Sequence, residues 1–366
     1  MSTARARIDS DVAVAVYEFP TPQPQADATL TWEATTAVVV RIGAHGAQGL
    51  GWTYSSPAAA RIVTADLVPV LSGRSVFDPS GTLIAMRRAC RNIGTKGVVA
   101  QAISAVDVAL WDLRARLLAV PLSTLFGTSR HAIAVYGSGG FTTLDDGQLD
   151  DQIDLWRRAG CPAMKIKIGE RCGSDPARDL TRVRRFSDRA GEGVRLMVDA
   201  NGGYTPGQAR RVGAELDRLG VEWFEEPVTS DNLDGLAVVR DSVRCDVAAG
   251  EYVYDEYDAA ELLGVVDCLQ LDLTRCGGYT GFLRCAALAA ARGLDVSAHC
   301  APSLHAPVAG AVPNLRDIEW FIDHARLEPL LVDGAPTVAH GELPVPVDGP
   351  GHGMRIAATA ADYRQH

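Results

Sequence analysis

Three acidic residues recur along this chain at a constant interval of 26 residues. Asp199, Glu225 and Glu251 each close a short apolar run of the kind that forms a buried strand. The runs are Arg195-Leu196-Met197-Val198-Asp199, Val221-Glu222-Trp223-Phe224-Glu225 and Asp246-Val247-Ala248-Ala249-Gly250-Glu251. One strand and one helix in every ~20 to 30 residues is the spacing of a parallel (β/α) barrel. The interval therefore predicts such a barrel in the central part of the chain.

The same three acids predict a metal site. Acids at the carboxyl ends of successive barrel strands converge, because neighbouring strands lie only ~4.8 Å apart. Three hard oxygen ligands with open water positions suit Mg²⁺ better than Zn²⁺. We therefore expect Asp199, Glu225 and Glu251 to bind Mg²⁺.

Bulk properties limit the classes of protein to be considered. The 366 residues suit one barrel of about 250 residues and a smaller domain. The net charge of −10 argues against nucleic acid or an anionic membrane as a partner. No apolar run approaches the ~18 residues of a membrane span, and Met1 to Ile8 lack the apolar core of a signal peptide. The eight cysteines form no CxxC pair and are expected to be reduced, so we expect a cytoplasmic protein.

The chain divides into two kinds of pattern. Residues 11–55 alternate like an antiparallel sheet, with strands at 11–19 and 34–42 and a long loop at 20–31. Helices are predicted at 56–71, 81–92 and 97–118. Eight strand segments follow, near 132–138, 163–168, 195–200, 221–225, 246–251, 267–272, 294–299 and 317–322, with amphipathic helices such as 180–190, 206–219 and 281–292 between them. We expect an irregular tail after the eighth strand, with residues 335–366 returning to the first domain.

Two lysines on the second barrel strand are candidates for chemistry. In Met164-Lys165-Ile166-Lys167-Ile168 the side chains alternate, so Lys165 and Lys167 share the barrel interior. Buried lysines are costly unless charge or chemistry requires them. A neighbouring cation and a nearby metal both disfavour the ammonium form, so we expect a lowered pKa for Lys167 and a role as general base.

Asp272 and His299 form a second candidate pair. They end the sixth and seventh strand segments, so Asp272 is placed to accept a hydrogen bond from one ring nitrogen of His299 and to fix its tautomer. Glu319 closes the eighth strand segment, and Asn201 follows Asp199; both are candidates for substrate contacts. Cys300, next to His299, is expected to line a pocket.

These residues resemble those of the enolase superfamily. The motifs are KIK at 165–167, DAN at 199–201, FEEP at 224–227, Gly250-Glu251, Asp272 before Gly277-Gly278, and the helix 105–112 followed by Pro121-Leu122 and Leu125-Phe126-Gly127. The Asp272/His299 pair resembles the mandelate racemase subgroup, whereas a lysine at position 272 would indicate the muconate-lactonising subgroup.

The resemblance implies an α/β fold, a (β/α)₇β barrel (a modified TIM barrel) at 128–339, with an α+β capping domain at 1–127 and a return at 340–366. It implies Mg²⁺ ligands at Asp199, Glu225 and Glu251. Acid/base roles fall to Lys167 and His299, Asp272 orients His299, and Lys165 lies near a substrate carboxylate. Glu319 matches the family's carboxylate-contacting acid only through a loosely similar local sequence.

The leading functional hypothesis is an acid-sugar dehydratase, which removes the α-proton of a carboxylate and eliminates water to give a 2-keto-3-deoxy acid. A racemase or epimerase of a 2-hydroxy acid is the alternative. We expect Tyr17 to Thr31 and Gly49 to Ser55, with Trp52 and Tyr54 in contact with substrate, to form the pocket roof. The polar residues Gln23, Gln25, Asp27 and Thr29 favour a polyhydroxylated acid.

The sequence also allows two other hypotheses about function. Lys167 is the nucleophile that a Schiff-base aldolase needs, and a barrel that binds metal and ligand without turnover is a non-enzyme alternative. In each case the expected partner is a small carboxylate. We also expect a homo-oligomer.

Overall fold

The first domain is built on a three-stranded antiparallel sheet. The computed structural model describes residues 6–9 and 11–365. The segment Met1 to Ile8, in which the sequence predicts no signal peptide, therefore lies largely outside the described residues. Strands β1 (Val12–Ala26), β2 (Thr31–Ala44) and β3 (Ala47–Tyr54) pair in the order β1-β2-β3. Their β-branched residues form one face of the cap core.

The prediction of a long loop at 20–31 is wrong. Most of it continues β1 and β2, and only a short turn separates the strands. The register shifts between Pro20 and Gln25, where prolines that cannot donate to the ladder are tolerated because β1 is an edge strand. Asp27 closes the turn by accepting hydrogen bonds from the amides of Thr29 (2.6 Å) and Leu30 (2.8 Å).

The cap helices follow the predicted pattern closely. They are α1 (Ala58–Ile62), a π-helical turn (Val63–Leu67), α2 (Val68–Leu71), α3 (Pro79–Ala89), α4 (Val98–Leu117) and α5 (Leu122–Phe126). Helix α4 lies against β3 so closely that a Cβ at Gly49 would lie 2.1 Å from the carbonyl oxygen of Ala109. Residues 49–54 are therefore part of a packed strand rather than the expected roof loop.

The second domain is a closed parallel barrel, as predicted. Its strands are β4 (Ala132–Gly139), β5 (Ala163–Lys167), β6 (Arg195–Asp199), β7 (Val221–Glu225), β8 (Asp246–Ala249), β9 (Cys268–Leu271), β10 (Asp295–Ala298) and β11 (Leu315–Phe321). They neighbour one another in chain order, and β11 pairs with β4 to close the ring. The intervening helices are α6 (Asp146–Arg158), α7 (Glu170–Gly173), α8 (Pro176–Ala190), α9 (Pro206–Arg218), α10 (Leu233–Arg240), α11 (Glu256–Leu262), α12 (Gly278–Ala291) and α13 (Pro302–Ala309).

The chain after the barrel differs from the expected irregular tail. A helix, α14 (Ile322–Leu331), follows the last barrel strand directly, and β12 (Val332–Asp333), β13 (Glu342–Pro344), β14 (Arg355–Ile356) and a 3₁₀ turn (Ala358–Tyr363) come after it. Strand β13 pairs with the start of β4. The final residues reach the cap, where the amide of Gln365 donates to the carbonyl of Val16 (2.9 Å). The domain boundaries at 127/128 and 339/340 stay a prediction.

The barrel interior is apolar at one end and charged at the other. Tyr136, Ala163, Met197, Trp223, Ala248 and Cys268 form one buried cluster. Side chains nearer the carboxyl ends of the strands are lysines and acids, so this apolar layer supports them from below. Among the described residues, no helix combines the length and apolar character that a bilayer crossing requires.

Asp107 of α4 joins the cap to the barrel and predicts a pH effect on stability. It accepts hydrogen bonds from the amide (2.9 Å) and hydroxyl (2.6 Å) of Thr280. Burial nevertheless raises the pKa of Asp107 to about 6, against an ordinary 3.8. Between these values the folded state keeps a proton that the unfolded state loses, so the group's contribution to stability falls as pH rises.

We expect this contribution to change by about 3 kcal/mol across that window. In the Asp107→Asn variant the corresponding part of the slope should disappear, as measured by urea unfolding at pH values from about 4 to 7. Asp188→Asn, at an exposed position of α8, is the matched control and should keep the wild-type slope. Identical slopes for Asp107→Asn and wild type would contradict the assignment.

Candidate active site

The three equally spaced acids meet at the carboxyl end of the barrel. Asp199 and Glu225 are the last residues of β6 and β7 and are direct neighbours in the ladder. Glu251 lies just beyond β8, after Gly250, where a Cβ would lie 2.4 Å from the carbonyl oxygen of Gln270. One carboxylate oxygen from each acid lies within 4.8 Å of the other two, and all three side chains are buried.

Each acid of this cluster also contacts a cation of the protein. Lys165 Nζ lies 2.7 Å from Glu225 Oε1 and 2.9 Å from Glu319 Oε1. Lys167 Nζ contacts Asp199 Oδ2, and an Arg275 nitrogen lies 2.9 Å from Glu251 Oε1. These pairs offset much of the cost of burying the charges.

The lowered pKa expected for Lys167 is wrong for this arrangement of side chains. Burial disfavours its ammonium form, but the carboxylate of Asp199, followed by those of Glu225 and Glu319, outweighs burial and the repulsion by Lys165. The net result is a pKa above its ordinary value. The sequence argument counted the neighbouring lysine and a nearby metal but not the direct contact with Asp199.

Asp272 and His299 form the predicted hydrogen-bonded pair. The distance from His299 Nδ1 to Asp272 Oδ2 is 3.0 Å, and the amide of Thr274 donates to Asp272 Oδ1 at 2.7 Å. Asp272 is therefore fixed, and the Nε2 of His299 is directed toward Glu251 Oε2 (3.6 Å). Burial lowers the pKa of His299, but Glu251, Glu319 and Asp272 together raise it above its ordinary value.

Glu319 and Asn201 both lie at the cluster. Ser138 donates to Glu319 Oε1 at 2.6 Å and the amide of Cys300 to Glu319 Oε2 at 3.0 Å, so Glu319 is not a solvated surface acid. The amide of Asn201 donates to Asp199 Oδ1 at 2.8 Å, while its side-chain oxygen has no hydrogen-bond partner among the described residues.

The two expected roof residues differ in their surroundings. Trp52 is completely buried and donates to the hydroxyl of Tyr54 at 3.3 Å, so its ring supports the site from behind and does not line an open pocket. Tyr54 stacks on His324 with ring centroids 3.8 Å apart and donates to Glu328 at 3.1 Å. His324 in turn accepts from the amide of Ala301 (3.0 Å), which places Tyr54 beside the end of β10.

Several residues at the site were not found from the sequence. Arg275 contacts Glu251 and also lies 3.3 Å from Asp272, so it connects the predicted metal ligands to the histidine pair. Its position three residues after Asp272 could have indicated from the sequence that Arg275 lies at the site. His324 and Glu328 lie one turn apart on α14, a segment that the sequence predicted to be irregular.

Non-glycine residues with left-handed backbone follow three of the strand ends. Asn201 (φ 39°), Glu226 (φ 36°) and Cys300 (φ 50°) all adopt this conformation. Such a conformation costs roughly 1 to 2 kcal/mol for a residue with a side chain. It turns the chain out of the barrel one residue after Glu225 and His299 and two residues after Asp199, and so helps to aim those side chains inward.

A cavity of about 580 Å³ borders the loops that follow Asp199 and Glu225 and reaches Gly250, but the three acids themselves are not among its lining residues. Its lining includes Thr29 from the cap hairpin and Asn201, Glu226, Thr229, Ser230 and Tyr252 from the ends of the barrel strands. Of the four polar residues expected in the roof, Thr29 lines this cavity, whereas Gln23 and Gln25 line a separate groove. The walls carry many hydroxyl, amide and carboxylate groups.

The donor set of the three acids fits a magnesium ion. Carboxylate oxygens are the ligands Mg²⁺ prefers, and it keeps some positions for water or substrate. Asp199, Glu225 and Glu251 would hold the ion.

Comparisons with known proteins agree with this geometry. Residues 11–127 match the family model "Mandelate racemase / muconate lactonizing enzyme, N-terminal domain", and residues 148–360 match "Enolase C-terminal domain-like". A solved mandelate racemase/muconate lactonizing enzyme-like protein from Rubrobacter xylanophilus is 40% identical, with a TM-score of 0.94 over 98% of this chain and 100% of that one. Several other similar structures contain magnesium.

Curated relatives catalyse different reactions on this architecture. The 3,6-anhydro-alpha-L-galactonate cycloisomerase of Streptomyces coelicolor is 34% identical over 87% of this chain and 88% of its own. The L-talarate/galactarate dehydratase of Salmonella typhimurium is 30% identical over 75% of this chain and 71% of its own. Since family models match both domains and these relatives align over most of their length, the chain belongs to the mandelate racemase subgroup of the enolase superfamily.

Proposed function

We propose that this enzyme is a Mg²⁺-dependent dehydratase of an acid sugar. The observation that carries the proposal is the hydrogen-bonded acid–histidine pair at the same end of the barrel as the three acids, together with a polar cavity bordered by the loops that follow those acids. The metal cluster accounts for recognition of a carboxylate, and the cavity accounts for a chain of hydroxyl groups.

Each charged residue has a defined task in this proposal. Lys165 and Glu319 share a contact at the barrel centre, where Lys165 can donate to a substrate carboxylate. Lys167 and His299 are the two groups able to move a proton at the α carbon or at the leaving hydroxyl. Bound Mg²⁺ would offset the negative charge of the carboxylates that favours the ammonium form of Lys167. It would also stabilise the negative charge that develops on the substrate carboxylate.

Asp272 makes His299 suitable as the acid of the elimination. Its hydrogen bond to Nδ1 leaves Nε2 as the nitrogen that faces the site. The raised pKa of His299 favours the protonated ring, which can give its Nε2 proton to the departing hydroxyl. Loss of hydroxide from the β carbon then proceeds as loss of water.

The cavity lining favours a polyhydroxylated substrate over an aromatic one. Threonine, serine, asparagine and tyrosine groups supply the several partners that several hydroxyls need. The two curated relatives described above carry the names of enzymes of sugar acids, which supports the same substrate class. The cap residues Gln23, Gln25, Asp27 and Thr29 give weaker support for a polyhydroxylated substrate, because only Thr29 of the four lines this cavity.

Racemisation or epimerisation of a 2-hydroxy acid is the second candidate. Lys167 ends β5 and His299 follows β10, so the two bases lie three strands apart around the ring by its shorter side. Two bases that approach one carbon from different sides are what a racemase needs. A substrate without a β-hydroxyl would leave this as the only available outcome.

The test is a screen of mono- and dicarboxylic sugar acids with Mg²⁺. We expect one or more of them to lose one water molecule, giving a 2-keto acid that semicarbazide traps and mass spectrometry detects. The same samples should be examined by NMR for epimers of unchanged mass. A substrate that returns only an isomer would refute dehydration and leave the epimerase.

A further inference from the structure

A second cluster of metal-binding atoms lies beside the predicted magnesium ligands. His299 Nε2 is 3.4 Å from Cys300 Sγ and 3.7 Å from Glu319 Oε2, and Cys300 Sγ is 3.5 Å from Glu319 Oε2. All three residues are buried; His299 and Cys300 directly follow β10, and Glu319 lies within the neighbouring strand β11. The three atoms form a nearly equilateral triangle.

The size of this triangle fits one face of a zinc tetrahedron. Bonds of about 2.0 to 2.3 Å from a tetrahedral zinc ion place neighbouring donor atoms ~3.3 to 3.8 Å apart. The three separations lie within that range. A cation can therefore contact all three atoms with little movement of the side chains.

The surroundings prepare each atom for a metal. Asp272 occupies Nδ1 of His299, and a histidine whose other nitrogen is held by a carboxylate is the usual arrangement at zinc sites. Ser138 and Lys165 occupy Oε1 of Glu319 and leave Oε2 facing the cluster. Glu251 Oε2, 3.6 Å from His299 Nε2, adds negative charge in the same space.

The donor types distinguish this cluster from the carboxylate cluster. Thiolate and imidazole prefer softer cations such as Zn²⁺, whereas three carboxylates suit Mg²⁺. We propose that His299, Cys300 and Glu319 form a second metal site, selective for Zn²⁺ and similar cations, whose occupation stops turnover. The Cys300 thiol and the protonated ring of His299 each release one proton to solvent when the metal binds, and Nε2 of the neutral ring then gives its lone pair to the metal.

Inhibition follows from the loss of that lone pair. With Nε2 bound to a metal, His299 can neither remove nor deliver a proton. This second half of the inference rests on the proposed function, since it assumes that His299 carries out proton transfer. The existence of the site does not depend on it.

Cobalt titration tests the site without any assay of activity. Co²⁺ is added to the full-length protein with Mg²⁺ in excess, and a thiolate-to-cobalt charge-transfer band with tetrahedral ligand-field bands is expected. The band should be lost in Cys300→Ser and Cys300→Ala, with circular dichroism as the check on folding. Cys172→Ser is the matched control, because Cys172 is exposed and distant in sequence from the cluster, and this variant should keep the band. No band in the wild type, or an equal band in Cys300→Ser, overturns the proposal.

Zinc inhibition is then measured with each variant normalised to its own uninhibited rate. We expect the Zn²⁺ concentration for half-inhibition to rise at least about tenfold in Cys300→Ser, given the usual effect of disturbing a metal's ligand environment. An unchanged value alongside a Cys300-dependent cobalt band refutes the inhibitory role. Failure to find any substrate would count against the proposed function and leave the cobalt result standing.

Discussion

Replacement of Glu225 by glutamine is expected to abolish turnover and, at the same time, to destabilise the folded protein. Glu225 is a predicted metal ligand, but it also accepts hydrogen bonds from Lys165 Nζ (2.7 Å), Trp223 Nε1 (2.8 Å) and Gln270 Nε2 (2.9 Å). A neutral glutamine leaves the buried ammonium of Lys165 without half of its compensating charge. Breaking a buried ion pair in this way costs about 3 to 5 kcal/mol.

A double variant separates the two effects. Glu225→Gln combined with Lys165→Met removes the uncompensated ammonium but leaves buried Glu319 without its lysine partner, so only part of the lost thermal stability should return, while activity does not. Calorimetric titration with Mg²⁺ should show binding by the wild type and none by either variant. Full activity of a metal-stripped wild-type sample would refute the metal assignment.

The second large effect is expected at the two proton-transfer groups. His299→Asn and Lys167→Ala should each lower kcat by about 10²- to 10⁴-fold, the usual contribution of a positioned acid or base. The relevant measurement is steady-state turnover with the substrate found in the screen. Near-normal turnover in either variant would refute its assignment.

Isotope exchange identifies which of the two groups abstracts the proton. In deuterium oxide, the variant that keeps the abstracting base should still exchange the α-proton of the substrate without completing the reaction. The other variant should do neither. Asp272→Asn is the matched control for the tautomer of His299. It replaces the carboxylate oxygen that faces Nδ1 by an amide group but leaves the histidine ring in place.

The barrel and the acid cluster follow from the sequence because they depend on local patterns. Runs of four to eight mostly apolar residues give the strands, and a residue at the end of a run must lie at the carboxyl end of the barrel. Asp199, Glu225 and Glu251 come together for that reason alone. The Asp272–His299 hydrogen bond follows in the same way, since both residues end neighbouring strands.

The features that the sequence did not predict depend on contacts between distant segments. The prolines near residue 20 suggested a loop, but an edge strand with a shifted register accommodates them. Trp52 suggested a pocket wall, but its ring is completely buried and packs against Tyr54 and His352. The pKa of Lys167 depends on the contact with Asp199, and strand alternation does not give that distance.

The left-handed residues at 201, 226 and 300 bear on how this enzyme can be improved. Glycine tolerates that backbone conformation without strain, so thermostability selection alone would favour glycine at these positions. Each such change would also remove a functional group near the site, because Asn201 and Glu226 line the cavity and the Cys300 thiol lies 3.4 Å from His299 Nε2. Libraries aimed at robustness should therefore hold these three positions constant and draw their stabilising substitutions from the outer helices.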